Sequence, residues 1–298
     1  MADFDDLFAE QEPEAREYDS FDKDEYKARK QAERDDVYAL IDETTENMQG
    51  NGELFQTYLD VQARFDRYSV NNALLIAAQQ PDALGPFKSF DDWKTDNVYV
   101  KRGETAISIL EPGPEYQKDD GSTGVSYNVK KLFDVTQTKS RPRPAPAITR
   151  DERLLLKSLI SNAPCKMTIS ADMSERMNAV YKADEKTIYV RQGMDGPSIF
   201  RALSQELAHA HMDKGDYSRA ENANAAYCVS YMLCKRYGVS TDTYAFTSMP
   251  EQYSKMEPQA FRQELGKIRD VAGDISRDMN RVLETQERTK KDRTMGAR

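Results

Sequence analysis

The stretch Ser204-Gln-Glu-Leu-Ala-His-Ala-His211 is one residue away from a metal-binding helix. In the pattern H-E-x-x-H, histidines at i and i+4 send both imidazoles out of one helix face. The glutamate after the first histidine handles protons for a metal-bound water. Here Glu206 and His209 hold the glutamate and second-histidine places, and Gln205 stands where the first histidine would be. A glutamine amide oxygen is neutral and weakly basic, so it is a poor zinc ligand beside imidazole. His211 is the only other histidine. Two residues on from His209, it points about 200° around a helix and faces away. The stretch predicts a helix over about 197–213 with one good nitrogen ligand left.

The surroundings complete a module. A helix is predicted over about 150–162, then a strand at "CKMTIS", then a hairpin, "AVYKADEKTIYV", turning at Ala183-Asp184-Glu185-Lys186. After the motif helix come a helix over about 218–237 and a long amphipathic one over about 257–286. Phe261, Leu265, Ile268, Val271, Ala272, Ile275, Met279, Val282 and Leu283 form one side of that last helix. The basic end, 287–298, is expected to fray.

Upstream, "KSRPRPAPAITRDE" alternates proline with other residues and reads as a linker, residues 139–149. Before it lies a second module, 27–138. Helices are predicted at about 27–48, 53–65 and 70–80, the first ended by Gly50-Asn51-Gly52. "NVYVKRG" and "TAISILEP" alternate like strands around Lys101-Arg102-Gly103-Glu104 and predict a hairpin there. "YQKDDGSTG" reads as a hairpin tip, with "VSYNVKKLFDVTQT" returning. The fold class expected is α+β, a helical and antiparallel-sheet module joined to an α+β module with a long C-terminal helix.

Charge is unevenly placed. The chain of 298 residues has a net charge of −9. Residues 1–26 hold eleven acids and two bases, the whole excess, so the body is neutral and its acidity does not exclude nucleic acid. This tail reads as disordered, and its apolar residues cluster in "FDDLF", residues 4–8, a candidate docking motif for a protein partner. Cys165, Cys228 and Cys234 are odd in number and form no C-x-x-C pair, which excludes a disulfide framework or cysteine zinc site. No run has the length of a membrane span and the acidic start is no signal peptide, so a cytoplasmic location is expected.

Single strands are held by basic grooves with aromatic platforms. Arg64, Arg67 and Tyr68 lie within about one helical turn, and Trp93 and Tyr99 flank Lys94. Lys101 and Arg102 sit at a turn, and Lys130 and Lys131 on the returning strand. Residues 126–143 carry a local excess of four positive charges. By itself the lone tryptophan reads as core, and the Lys-Arg turn as a solvated loop.

Ordered motifs supply a reason to group these residues. Asn72-Ala-Leu-Leu-Ile76, Gln79-Gln-Pro81, Trp93, Val100-Lys-Arg-Gly-Glu104, Ile107-Ser-Ile-Leu-Glu-Pro112 and Phe133-Asp-Val-Thr-Gln-Thr138 resemble, over about 50–138, the single-stranded-DNA-binding domain of ArdC-like antirestriction proteins. Residues 150–246 resemble the zincin-like metallopeptidase domain that follows it in that family. In relatives a later helix supplies a glutamate ligand. Counting back from Cys234-Lys-Arg-Tyr-Gly238, that place falls on Tyr227, and a looser register offers Glu221.

The resemblance implies a non-enzymatic protein of a phage or other mobile element. It would bind single-stranded DNA without sequence preference and protect it from restriction, with a decayed peptidase module. The DNA contacts implied are Arg64, Arg67, Tyr68, Asn72, Trp93, Tyr99, Lys101, Arg102, Lys130 and Lys131. Glu206 and His209 would remain as a buried hydrogen-bonding pair, with no cofactor. Two alternatives stay open: a zinc metallopeptidase with atypical ligands, and an adaptor acting through the acidic tail.

Overall fold

The computed structural model describes residues 22–118, 120–140 and 151–295, with side chains to residue 286. The FDDLF motif, Arg141, Arg143 and most of the proline-rich linker lie outside the described residues.

The chain opens with three helices, each started by a side chain that accepts the free N–H groups of the first turn. Asp22 caps α1 (Lys23–Gln49), Asn51 caps α2 (Gly52–Arg64) and Ser69 caps α3 (Val70–Gln79). Val37, Ile41 and Met48 are the buried face of α1. Gly52 has a specific reason: a Cβ there would stand 2.0 Å from the Phe246 carbonyl oxygen, so the start of α2 can approach the second module only without a side chain.

A three-stranded antiparallel sheet follows, in the order β1 (Phe87–Lys88), β3 (Thr123–Asp134), β2 (Ile107–Gln117), with α4 (Phe90–Thr95) after β1. The hairpin expected around Lys101 to Glu104 does not form. Residues 97–103 contribute only an isolated bridge, Val100 to Thr138, while β2 pairs with β3 across the 118–122 tip. The reason is that both edges of β2 are already taken. β3 holds one. On the other, two amide side chains of α3 stand in for a strand. Leu110 N–H donates to Asn72 Oδ1 and Asn72 Nδ2 donates to the Leu110 carbonyl, both at 2.8 Å. Gln79, two turns on, does the same to Ser108, at 2.8 and 3.0 Å. An exposed strand edge is thus closed by a helix.

The second module begins with α5 (Glu152–Ser161) and a sheet in the order β4 (Lys166–Ser170), β6 (Thr187–Arg191), β5 (Ala179–Lys182). β4 runs parallel to β6, and β5–β6 is the hairpin read from the sequence. Then come α6 (Gly196–Met212), α7 (Arg219–Tyr237), the short α8 (Glu251–Ser254) and α9 (Pro258–Met295), which runs on into the basic segment expected to fray. Together these elements are an α+β fold, as the residue patterns predict.

One hydrophobic core runs through both modules. Phe55 of α2 packs edge-on against Phe246 and Tyr253, with ring centroids 5.9 Å apart in each case, and lies against Phe261 of α9. Polar contacts frame it. Tyr231 donates to Asp60 at 2.6 Å, Arg236 pairs with Asp66 at 2.9 Å, and Gln49 Nε2 donates to the carbonyls of Tyr253 and Met256.

The α3 amides give a test of the first sheet. Asn72→Ala leaves a buried N–H and C=O of Leu110 without partners, a cost of about 2–4 kcal/mol. Chemical denaturation should show that loss with an unchanged m-value, and Gln79→Ala should cost less because Gln79 is only partly buried.

Candidate functional site

The motif helix α6 lies against β5 and α7, and its N-terminal half walls a cleft of about 500 Å³. Asp195 caps the helix and Pro197 sits in its first turn, which fixes where it starts. Gln205 and Glu206 line the cleft, with Arg176, Arg201, Arg219, Tyr227 and Tyr244 around them.

Glu206 is 4% exposed, and a buried carboxylate requires partners. Its first partner is Arg219, from the first turn of α7, which grips it with both ends of the guanidinium: Nη1 to Oε2 at 2.8 Å and Nη2 to Oε1 at 2.6 Å. The Tyr181 N–H donates to Oε2 at 2.7 Å. A planar fork on a carboxylate is among the stronger charge-assisted arrangements. The Glu206 contact also raises the Arg219 pKa.

His209 does not pair with Glu206, which corrects the expectation of a Glu206–His209 hydrogen bond. One turn further along α6, it is buried at 1% exposure, and its Nδ1 lies 2.9 Å from the Tyr217 hydroxyl. Burial pushes its pKa down to about 4, against the opposing pull of the Glu206 charge. His211 points the other way, as its spacing requires. It is also lowered by burial, and the charges acting on it are Asp274 and Asp278 of α9 and Lys214.

Metal fit is decided by these partners. Gln205 offers an amide, Tyr227 a phenol already accepting the Ala245 N–H at 2.7 Å, and Glu206 has both oxygens engaged by a guanidinium. A divalent cation at Glu206 would meet the fixed positive charge of Arg219. Among the described residues no three His, Cys, Asp or Glu side chains converge. The set does not fit a catalytic zinc. Of the two registers, Tyr227 lines the cleft, while Glu221 is exposed at the start of α7, its N–H bonded to Ser218.

The ten residues grouped as DNA contacts are not brought together. Trp93 is 4% exposed, with Nε1 donating to the Phe133 carbonyl at 2.9 Å, so it offers no face to a base. Asn72 is committed to β2. Arg64 is tied to the carbonyls of Pro81 and Ala83. Lys131 reaches Ser108 and Glu33. Tyr68 and Lys130 line a cleft of about 530 Å³ with Asn72, but this cleft holds Lys88 and Lys130 against Asp92, Asp96 and Glu111, and Lys130 is paired with Glu111 at 2.9 Å. That is no basic groove.

Tyr99, Lys101 and Arg102 share one short exposed segment, in which the Lys101 ammonium donates to the Thr136 carbonyl at 2.6 Å. The Val100–Thr138 bridge lays them beside Lys139, whose N–H donates to the Tyr99 carbonyl at 2.9 Å. Tyr99 is 56% exposed, and Lys101, Arg102 and Lys139 are exposed around it, with Glu104 as the nearby acid. Arg67 is exposed elsewhere, in the turn between α2 and α3.

Arg219 and Tyr217, the partners of the motif helix, were not read from the sequence. The signal available was a cation thirteen residues after a glutamate across a helix–helix turn, which no spacing rule singles out.

Burial of a neutral His209 makes stability depend on pH. Between the ordinary value of 6.5 and about 4 the unfolded chain takes up a proton that the folded chain refuses. Stability is therefore fully present above that window and falls as pH drops through it, by on the order of 3 kcal/mol. Thermal unfolding across this range should show the fall, and His209→Gln should flatten it. An unchanged slope in that variant would remove His209 as its source.

No family model matches the chain, and no curated protein matches it. Solved structures do. A metal-free crystal structure of the antirestriction protein ArdC from plasmid R388 is 12% identical, covering 72% of this chain and 86% of its own, with a TM-score of 0.50. The Mn(II)-bound structure is 14% identical, covering 74% and 97%, with a TM-score of 0.51. The chain has the ArdC-like fold.

Proposed function

We propose that this protein binds single-stranded DNA without sequence preference and, as part of a phage or other mobile element, protects it from restriction. The ArdC-like fold supports the antirestriction role by analogy with a plasmid protein of that activity. The observation that carries the DNA contact is the surface cluster of Tyr99, Lys101, Arg102 and Lys139. An exposed ring flanked by cations gives stacking, worth roughly 1–3 kcal/mol per base, together with phosphate neutralisation, and neither needs a particular sequence.

The peptidase-like module acts in this reading as a scaffold and not as a catalyst. Its carboxylate is paired with an arginine. The Mn(II)-bound neighbour makes metal the natural rival. Purified protein should return far less than one zinc or manganese per chain by elemental analysis. One tightly held ion per chain, lost in His209→Ala, would restore the metallopeptidase reading.

Anisotropy with single- and double-stranded oligonucleotides tests the DNA reading directly. Single strands should bind more tightly at low salt. Lys101→Glu with Arg102→Glu should weaken binding on all sequences alike. It should also lower the salt slope by about 1.4, two phosphates at roughly 0.7 each. Equal binding by the variant would place the contact elsewhere on the surface, and no binding by the wild type would sink the reading.

A further inference from the structure

We infer that the cleft along the N-terminal half of α6, where the metallopeptidase pattern has decayed, binds a nucleotide through its phosphate. The ligand class rests on the single-strand reading above. The cleft itself rests on charge and geometry alone.

Its lining holds three guanidinium groups, Arg176, Arg201 and Arg219, and a single carboxylate, Glu206. Glu206 is buried beneath Arg219 and fully engaged, so the open side of the cleft carries an excess of positive charge. The larger cleft of the first module has the opposite balance, two lysines against three carboxylates. A polyanion meeting this chain is therefore drawn to the second cleft before the first.

The hydrogen-bonding inventory points the same way. Arg219 is gripped by Glu206 through both Nη atoms and also meets the Tyr217 side chain, yet its side chain remains 42% exposed, a guanidinium held in a fixed plane. Arg201 Nη2 donates to Ser198 Oγ at 3.0 Å and its Nη1 to the Ser240 carbonyl at 3.4 Å, which holds that guanidinium in place. Arg176 is exposed, and its side chain has no partner among the described residues. Gln205, in the lost-histidine position, adds an amide. The helix start beside Ser198 is capped by Asp195, which accepts the Ser198 N–H at 2.7 Å, so the positive charge of the cleft is that of its arginines. Almost everything that faces the cleft donates. Arginine forks suit tetrahedral oxyanions, and preorganised ones lose less entropy on binding.

Two rings supply the rest. Tyr227 and Tyr244 line the same cleft with centroids 5.0 Å apart. Their hydroxyls are turned to the protein, Tyr227 accepting the Ala245 N–H and Tyr244 bonded to Ser230 at 2.7 Å. Rings beside arginines are what a base and its phosphate require together. The volume of about 500 Å³ lies in the range of small-ligand clefts.

Calorimetric titration of the full chain with thymidine monophosphate, thymidine and inorganic phosphate tests this. Thymidine monophosphate should saturate one site, and thymidine should bind at least about tenfold more weakly. Arg176→Glu, which breaks no contact in the fold, should weaken thymidine monophosphate by about tenfold or more, with an unchanged unfolding midpoint as the folding control. Lys101→Glu with Arg102→Glu should weaken oligothymidylate but leave thymidine monophosphate alone. No saturation, or equal binding by Arg176→Glu, overturns the inference. Inorganic phosphate binding as tightly as the nucleotide overturns the nucleotide assignment. Oligothymidylate binding retained alongside failure of thymidine monophosphate would sink the cleft and spare the single-strand reading, and the converse pattern would do the reverse.

Discussion

A buried carboxylate must have its charge answered, and in this fold the answer to Glu206 organises the second module. The residue is placed by α6, whose start is fixed by Asp195 and Pro197. Its two oxygens then fix Arg219 at the start of α7 and the Tyr181 backbone on β5. Helix, helix and sheet meet at one side chain. Breaking one partner of such a pair leaves an uncompensated charge in a poorly solvated place, which is why the pair persists whether or not chemistry occurs there. In this chain the charge of Glu206 is answered by the Arg219 guanidinium.

The first module shows a parallel economy with neutral groups. Asn72 and Gln79 do for β2 what a neighbouring strand would do. Asp134, fully buried, accepts the N–H groups of Leu84, Gly85 and Thr136, and Gln137 ties back to Thr105. With Trp93 anchored on Phe133, the motifs that carry the family resemblance are, one after another, backbone-satisfying devices. They mark the fold.

The two modules share a core, and their contacts are polar as well as apolar. Tyr231, Lys235 and Arg236 of α7 meet Asp60 and Asp66 at α2, while α9 runs behind both. The surface cluster around Tyr99 and the arginine cleft are therefore carried on one body.

Sequence alone determined much of the local structure. Periodicity and breaker residues located the helices, and turn chemistry located the β5–β6 hairpin. The motif order gave the ArdC-like fold, because these signals depend on neighbours within a few residues. That Gln205 stands in the first-histidine place of the pattern was legible for the same reason. Tertiary structure decided what each polar side chain faces. Trp93 and Asn72 read as ligand contacts and are buried supports, because burial depends on elements distant in sequence. The 97–103 segment reads as a strand and is not one, because the edge it needed is held by α3. Arg219 was invisible beside Glu206, since thirteen residues and a turn separate them and only the packing of α7 on α6 brings a guanidinium to that carboxylate.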